Sequence, residues 1–388
     1  MITRHLENTV QKQLAKFPVI ALLGARQVGK TTLAKHVAKS IKRKSVYLDL
    51  EKSSDVYLLN DAEHYLRMHE DKCIIIDEVQ IKPELFSLLR ALVDEKRTSG
   101  RFLLLGSVSP DLIKGVSQSL AGRIFTAELG TINSSELPDT ISINKHWFRG
   151  GFPEAITAKT DSDFADWMDG YIATYINKDL QFLFNTDFSK TVMRNFWSML
   201  GHQTSTIWNG ESFAKALGIT NPTISRYLDL LEAAFIVQRL PSFHINAKKR
   251  LIKAPKVYLR DSGLVHRLNR IHHYENIFEN PVAGSSWESY VVEQITQCKH
   301  KDIDLYYYRT RDGAECDLVF VNGTKVVACA EIKLSKTPAL TKGFYESIAD
   351  LKSKKNYVIT SGNELIKKSD GITICGLKTF LNKILPTL

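Results

Sequence analysis

Long apolar runs are missing from this 388-residue chain. The longest, FPVIALLG and CIIIDEV, fall far short of the ~20 residues a membrane helix needs and suit buried parallel strands instead. No membrane span is expected. The opening residues, MITRHLENTVQKQLAKFP, lack the unbroken apolar core of a signal peptide; they mix both charge signs with apolar residues at helical spacing. They read as a helix, and the chain reads as cytoplasmic. Cysteine is sparse: Cys73, Cys298, Cys316, Cys329 and Cys375 are odd in number, scattered, and mostly embedded in strand-like patterns. That usage fits small buried thiols in a reducing compartment, with no disulfide and no zinc site. Low-complexity tracts are also lacking, and 44% hydrophobic and 24% charged residues are ordinary for a soluble globular protein. The length exceeds what one compact core usually covers and predicts two or three domains. A net charge of +10 and a pI near 9.2 favour polyanionic partners, although basicity serves solubility equally well.

What is present is more specific. In GARQVGKTT, residues 24–32, the residues Gly24, Gly29, Lys30 and Thr31 satisfy the pattern of glycine, any four residues, Gly-Lys-Ser/Thr. VIALL before it has the composition of a buried strand, and TTLAKHVAKSIK after it carries Leu33, Ala34, Val37 and Ala38 at helical spacing. Such a loop closes backbone amides around phosphates, lets Lys30 reach the β and γ phosphates, and offers the Thr31 hydroxyl to magnesium. Gln27 and Thr32 complete the expected nucleotide-binding set with Gly24, Gly29, Lys30 and Thr31. KCIIIDEVQ supplies the second strand such a site needs, ending in Asp77, expected to hold magnesium, and Glu78, expected to activate the attacking water. Glu78 favours hydrolysis over transfer to a small substrate. RFLLLGSVS ends in Ser107, either a polar sensor of the γ phosphate or a strand-end turn serine. Arg123, in SLAGRIF, is the right residue type for a finger donated across a subunit boundary, or else a surface ion-pair arginine.

The ordered set GARQVGKTTL, YLDLE, IIIDEVQ, LLLGSVS, SLAGRI and RGGFPE resembles the AAA-type ATPases of bacteria and archaea that carry a C-terminal domain of unknown function. YIATYINKDL, PKVYLRDSGL, GSSWESYVVEQI and GAECDLVF…AEIK extend the resemblance over nearly the whole chain. The resemblance implies ATP hydrolysis with Lys30, Thr31, Asp77 and Glu78 in the roles above, and it raises Arg123 as a finger.

Residues 146–210 read as helices with aromatic stripes, which core packing explains best, and are expected to form a helical lid. ESFAKALGITNPTISRYLDLLEAAFIVQRL then places a helix, a turn with Gly218, and a second helix opened by Asn221-Pro222, with Thr220 or Asn221 as cap. The pattern is a helix-turn-helix of winged-helix type. Asp229 and Glu232 on the second helix would repel phosphates and argue against base readout. Lys248, Lys249, Arg250, Lys253 and Lys256 fall where a wing would be, and the first four are the expected nucleic-acid contacts. The alternatives are a solvated loop and a wing used in assembly.

At the C-terminal end, Glu315 and Asp317 share one face of a strand, as do Glu331 and Lys333 on the next. A plain Asn322-Gly323 turn would pair Val321 with Thr324 and throw Glu331 onto the face opposite Asp317. Chemistry there predicts an odd-length loop or a bulge nearby. Glu288, from an upstream helix, joins Asp317 and Glu331 as the expected metal set, with Lys333 to orient or deprotonate water. This ordered set resembles the restriction-endonuclease-like superfamily; the alternative is a salt-bridging pair on a retained fold that does not cut.

The expected fold is α/β: an N-terminal P-loop AAA-type domain with a parallel sheet (1–145), a helical lid (146–210), a winged-helix segment (211–268) and a nuclease-like α/β domain (275–388). The expected function is an ATP- and magnesium-dependent ATPase that binds and remodels or processes DNA, oligomeric if Arg123 acts in trans. Its rivals are a nucleotide-controlled switch or scaffold with an inactive nuclease-like domain that binds a partner, and, less favoured, a small-molecule kinase.

Overall fold

The computed structural model describes residues 2–109, 120–184, 188–244 and 252–388. The chain divides into two compact units: Met1–Ile132 with Thr174–Asp187 and Asp229–Ile236, and Asn133–Ala173 with Phe188–Leu228 and Val237–Leu388. No helix among the described residues is long and apolar enough to cross a membrane, and all five cysteines are free thiols.

The first unit is built on five parallel strands, β1 (Val19–Leu23), β2 (Ser45–Asp49), β3 (Cys73–Asp77), β4 (Phe102–Gly106) and β5 (Ile124–Glu128), in the order β2-β3-β4-β1-β5. Composition decides which strands are central. VIALL, CIIID and FLLLG are buried at every position, whereas β2 and β5, which carry polar residues, are half exposed at the edges. Helix Leu85–Glu95 covers one face by burying Leu85, Phe86, Leu89, Leu92 and Val93 at helical spacing against Ile74, Ile76 and Leu104. Arg101, almost wholly buried, donates to the Leu92 carbonyl at 2.6 Å, a second donor there beside the Lys96 amide that closes the helix. This α/β unit agrees with the expected parallel sheet, and its three strand ends Leu23, Asp77 and Gly106 lie at one carboxyl edge.

The second unit contains helix Gly210–Leu217, whose Asn209 cap accepts from Ser212 N at 3.1 Å, a turn at Gly218, and the start of helix Asn221–Ala233 behind Thr220. β6 (Thr206–Ile207), β7 (Val237–Leu240) and β8 (Lys256–Leu259) form a small antiparallel sheet ordered β6-β8-β7. A larger mixed sheet holds β9 (Ile303–Arg309), β10 (Glu315–Asn322), β11 (Lys325–Lys333), β12 (Asn356–Thr360), β13 (Leu365–Lys367) and β14 (Ile372–Gly376) in the order β13-β14-β12-β11-β10-β9.

A buried polar relay fixes the unit's helical part. Trp147 Nε1 donates to Ser286 Oγ (3.0 Å), Ser286 Oγ shares a proton with His266 Nε2 (2.6 Å), and His266 Nδ1 meets the Phe148 carbonyl (2.8 Å). A carbonyl only accepts, so Nδ1 carries the hydrogen and a neutral ring leaves Nε2 to accept from Ser286. Every member is then satisfied, and burial pushes the His266 pKa down to about 4.

Candidate functional site

At the carboxyl edge of the parallel sheet, the loop after β1 folds over the start of helix Lys30–Ser40. Gly24 adopts φ +154°, and a Cβ there would lie 2.2 Å from the Leu129 carbonyl oxygen, so backbone approach alone requires glycine. Lys30, buried, donates to the carbonyls of Gly24 (2.9 Å) and Ala25 (2.8 Å) and to Ser107 Oγ (3.0 Å). Burial lowers its pKa to about 8, against the pull of Glu78 and Asp77. Ser107 in turn donates to Glu78 Oε1 at 3.0 Å. Lys30, Ser107 and Glu78 thus form one chain of hydrogen bonds across three loops. Thr31 Oγ1 donates to Asp77 Oδ2 at 2.6 Å, so the hydroxyl and carboxylate expected around magnesium are adjacent. Gln27 and Glu78 both occupy left-handed backbone conformations, φ +64° and +54°, which few non-glycine residues adopt. Gln27 and Thr32 are exposed at the loop, and Gly29 precedes the helix in a left-handed conformation.

Arg123 stands apart from this network. Among the described residues its partners are Asp94, reached through Nε and Nη2 (2.9 Å for the latter), and the Ala121 carbonyl. Several residues of the site went unseen in the sequence. Tyr47 donates to Asp77 Oδ2 at 2.6 Å, and Gln80 holds the second oxygen of Glu78. Arg26, at a free position of the glycine-lysine pattern, bridges Asp179 (2.7 Å) and Glu51 (2.6 Å). Burial raises the Asp179 pKa, with Arg26 opposing. A partner 153 residues away leaves no local signal; only the YINKDL resemblance touched Asp179.

The second cluster lies in the other unit. Gly323-Thr324 forms the tight turn, with Asn322 paired to Lys325 and Val321 to Val326; the register then shifts, and Phe320 pairs with Ala328, leaving Val327 as the extra residue. One step beyond the Leu318–Ala330 pair, Asp317 therefore faces Glu331, and Asp317 Oδ2 accepts from Ile332 N at 3.0 Å. On the β9 side, Asp317 and Leu318 sit in a second irregularity between Cys316 and Val319. Glu331 pairs with Lys333 at 2.7 Å through Oε1, while its Oε2 is buried without a partner among the described residues.

Lys256 is the surprise of this cluster. The lysine run placed it on an exposed wing; it is instead the first residue of β8, buried, with Nζ 3.0 Å from Glu288 Oε1, 3.0 Å from Asp317 Oδ1 and 3.6 Å from Glu315. The reason is local: after Pro255 the sequence KVYL is a strand buried at all four positions, and Lys256 and Tyr258 share a face. Tyr258 donates to Glu288 Oε1 at 2.8 Å. Burial opposes the charge of Lys256, but Glu288 and Asp317 raise its pKa well above the ordinary value. Burial raises the Glu288 carboxyl, and the ammonium beside it counters that effect. For Asp317 burial also pulls upward, yet Lys256 and the Ile332 amide win and hold it below the ordinary carboxylate value. No group of three His, Cys, Asp or Glu side chains among the described residues is arranged to hold a metal ion. Of the expected set, Glu288 and Asp317 come together on the Lys256 ammonium, while Glu331 pairs with Lys333 instead, and this arrangement does not fit a divalent metal. Of the expected nucleic-acid contacts, Lys253 is exposed, and Lys248, Lys249 and Arg250 lie outside the described residues.

Comparison with known proteins matches residues 16–137 to an AAA domain model, 140–275 to a domain of unknown function (DUF8612), and 283–380 to a domain of unknown function (DUF4143). Uncharacterized proteins of Mycobacterium bovis and Mycobacterium tuberculosis are each 36% identical over 369 residues, covering 95% of this chain and 82% of theirs. Among solved structures, a Walker-type ATPase of Pyrococcus abyssi aligns with 69% of this chain and 96% of its own at 13% identity and a TM-score of 0.47. Thermotoga maritima RuvB aligns with 62% and 90% at 18% identity and a TM-score of 0.32.

Proposed function

The chain belongs to the P-loop AAA family that carries a C-terminal domain of unknown function, and from that premise we propose that it is a magnesium-dependent ATPase whose turnover acts on DNA. The observation that carries the hydrolytic part is the connected chain Lys30–Ser107–Glu78 beside the Thr31–Asp77 pair. Thr31 and Asp77 would hold the magnesium, which when bound supplies positive charge to the nucleotide phosphates. Lys30 exchanges its backbone carbonyl partners for phosphate oxygens. Glu78 accepts the proton of the attacking water, and Ser107 and Gln80 keep that carboxylate aimed. Arg123, free to leave a surface ion pair with Asp94 worth little in water, completes the site of a neighbouring subunit in a homo-oligomer.

DNA as the partner rests on the net charge of +10 and the basic residues from Lys248 to Lys253. The rival reading, a nucleotide-controlled switch whose C-terminal domain only binds a partner, draws its support from Lys256 within the second cluster. The test is ATP turnover of the full chain with magnesium, with and without linear, branched and single-stranded DNA, at rising salt. Turnover abolished by Lys30→Ala, and stimulated by DNA in a way that fades with salt, is the expected result. Wild-type turnover in Lys30→Ala would sink the ATP-site assignment, and turnover indifferent to every DNA would hand the function to the switch.

A further inference from the structure

The second cluster has the outline of a metal-dependent phosphodiesterase centre and the wrong occupant. We propose that Lys256 is a resident counter-ion that takes the place of a divalent metal, so that the C-terminal centre binds no such metal and cleaves no phosphodiester in the wild-type protein. The inference is independent of whether the ATPase acts on DNA.

The geometry carries it in three steps. First, carboxylates from a helix (Glu288) and a strand (Asp317) approach one point, and that point is Lys256 Nζ, 3.0 Å from an oxygen of each, with Glu315 at 3.6 Å. An ammonium has three hydrogens to donate; Glu288 and Asp317 each accept one, and Glu315 adds charge at ion-pair distance without a hydrogen bond. Second, the oxygens that meet at this point are already engaged. Glu288 Oε1 accepts from both Lys256 and Tyr258, Asp317 Oδ1 accepts from Lys256, and Asp317 Oδ2 accepts from the Ile332 amide. Third, Lys256 cannot step aside cheaply. Its side chain is 4% exposed, and moving it away from its carboxylates would leave a buried charge unpaired. A metal and this ammonium are mutually exclusive, and the chain supplies the ammonium. Glu331, opposite Asp317 on the next strand, keeps Oε2 buried without a partner among the described residues while Oε1 holds Lys333.

Removing the ammonium while keeping the carboxylates should therefore create a metal site. The experiment is Mn²⁺ titration of the nucleotide-free full-length protein, followed by electron paramagnetic resonance, for wild type, Asp317→Asn, Lys256→Met and the Lys256→Met/Asp317→Asn pair, with melting curves in the presence and absence of Mn²⁺. The wild type is expected to show no bound Mn²⁺ that Asp317→Asn removes. Lys256→Met is expected to gain one tightly held ion per chain and a Mn²⁺-dependent rise in melting temperature, both lost in the double variant. Plasmid incubated with wild-type protein and Mg²⁺ or Mn²⁺ should stay uncut. Stoichiometric, Asp317-dependent Mn²⁺ binding or cleavage by the wild type overturns the proposal, as does a folded Lys256→Met protein that gains no ion. If Lys256→Met fails to fold, Lys256→Gln takes its place, and the wild-type titration decides on its own.

Discussion

Glu78 pays for its position in backbone strain: a left-handed conformation costs an ordinary residue roughly 1–2 kcal/mol, and here it is accepted to turn the carboxylate toward Ser107. Because Ser107 and Gln80 each donate to one oxygen of that carboxylate, an isosteric amide keeps one of the two contacts through its carbonyl oxygen while accepting no proton from water. Glu78→Gln is therefore expected to lower ATP turnover by about 10²–10⁴-fold while nucleotide affinity is kept, measured by steady-state hydrolysis beside equilibrium binding of a fluorescent nucleotide. Equal losses of affinity and turnover would assign Glu78 to binding. Gly24→Ala acts differently, since its Cβ would collide with the backbone of Leu129 rather than with a flexible side chain. It should cost roughly 1–3 kcal/mol of stability, read as a lower melting temperature, and weaken nucleotide binding as the loop shifts. An unchanged melting curve would show that the Leu129 backbone yields. At this scale the sequence was most legible where a local pattern dictates geometry: Gly24, Lys30 and Thr31 stand where their spacing predicts. It was opaque wherever a side chain's partner is remote. Arg26 gives no hint of Asp179, Tyr47 none of Asp77, and a lysine run concealed that Lys256 opens a buried strand.

At the scale of elements, central strands were readable because burial on both faces demands unbroken apolar runs, as in β1, β3 and β4. The pairing of β10 with β11 was only half readable. Strand periodicity fixed which residues share a face within each strand, but the extra residue Val327 alone decides that Asp317 and Glu331 share one between strands. Helix Ser262–Leu268 offers a test of a different kind through His266. Its ring is neutral when folded, with a pKa near 4 against 6.5 unfolded, so below 6.5 the unfolded chain binds the extra proton. The stability this relay contributes is complete above pH 6.5 and is lost as pH falls toward 4, on the order of 3 kcal/mol in all. Chemical denaturation at pH 7, 5.5 and 4.5 should show that decline, and His266→Gln, which keeps a donor and an acceptor, should flatten it. The same slope in both proteins would place the acid sensitivity elsewhere.

For the whole molecule, the position of Arg123 poses the question of assembly. Arg123→Ala and Lys30→Ala are each expected to be inactive alone. Mixed, they should recover part of the wild-type turnover if an arginine of one subunit serves the phosphate loop of the next. No recovery at any mixing ratio would confine Arg123 to its ion pair with Asp94. The interrupted path of the chain has its own consequence for synthesis. The first unit takes its last segment from Asp229–Ile236, about a hundred residues after Ile132, and Asp179, which holds Arg26 of the phosphate loop, comes from the segment between. On a ribosome adding about 5–20 residues per second, the first 132 residues wait roughly 5–20 s for their missing pieces. The nucleotide pocket is thus a late product of translation, and the nascent sheet must be kept from wrong partners until the rest of its own unit arrives.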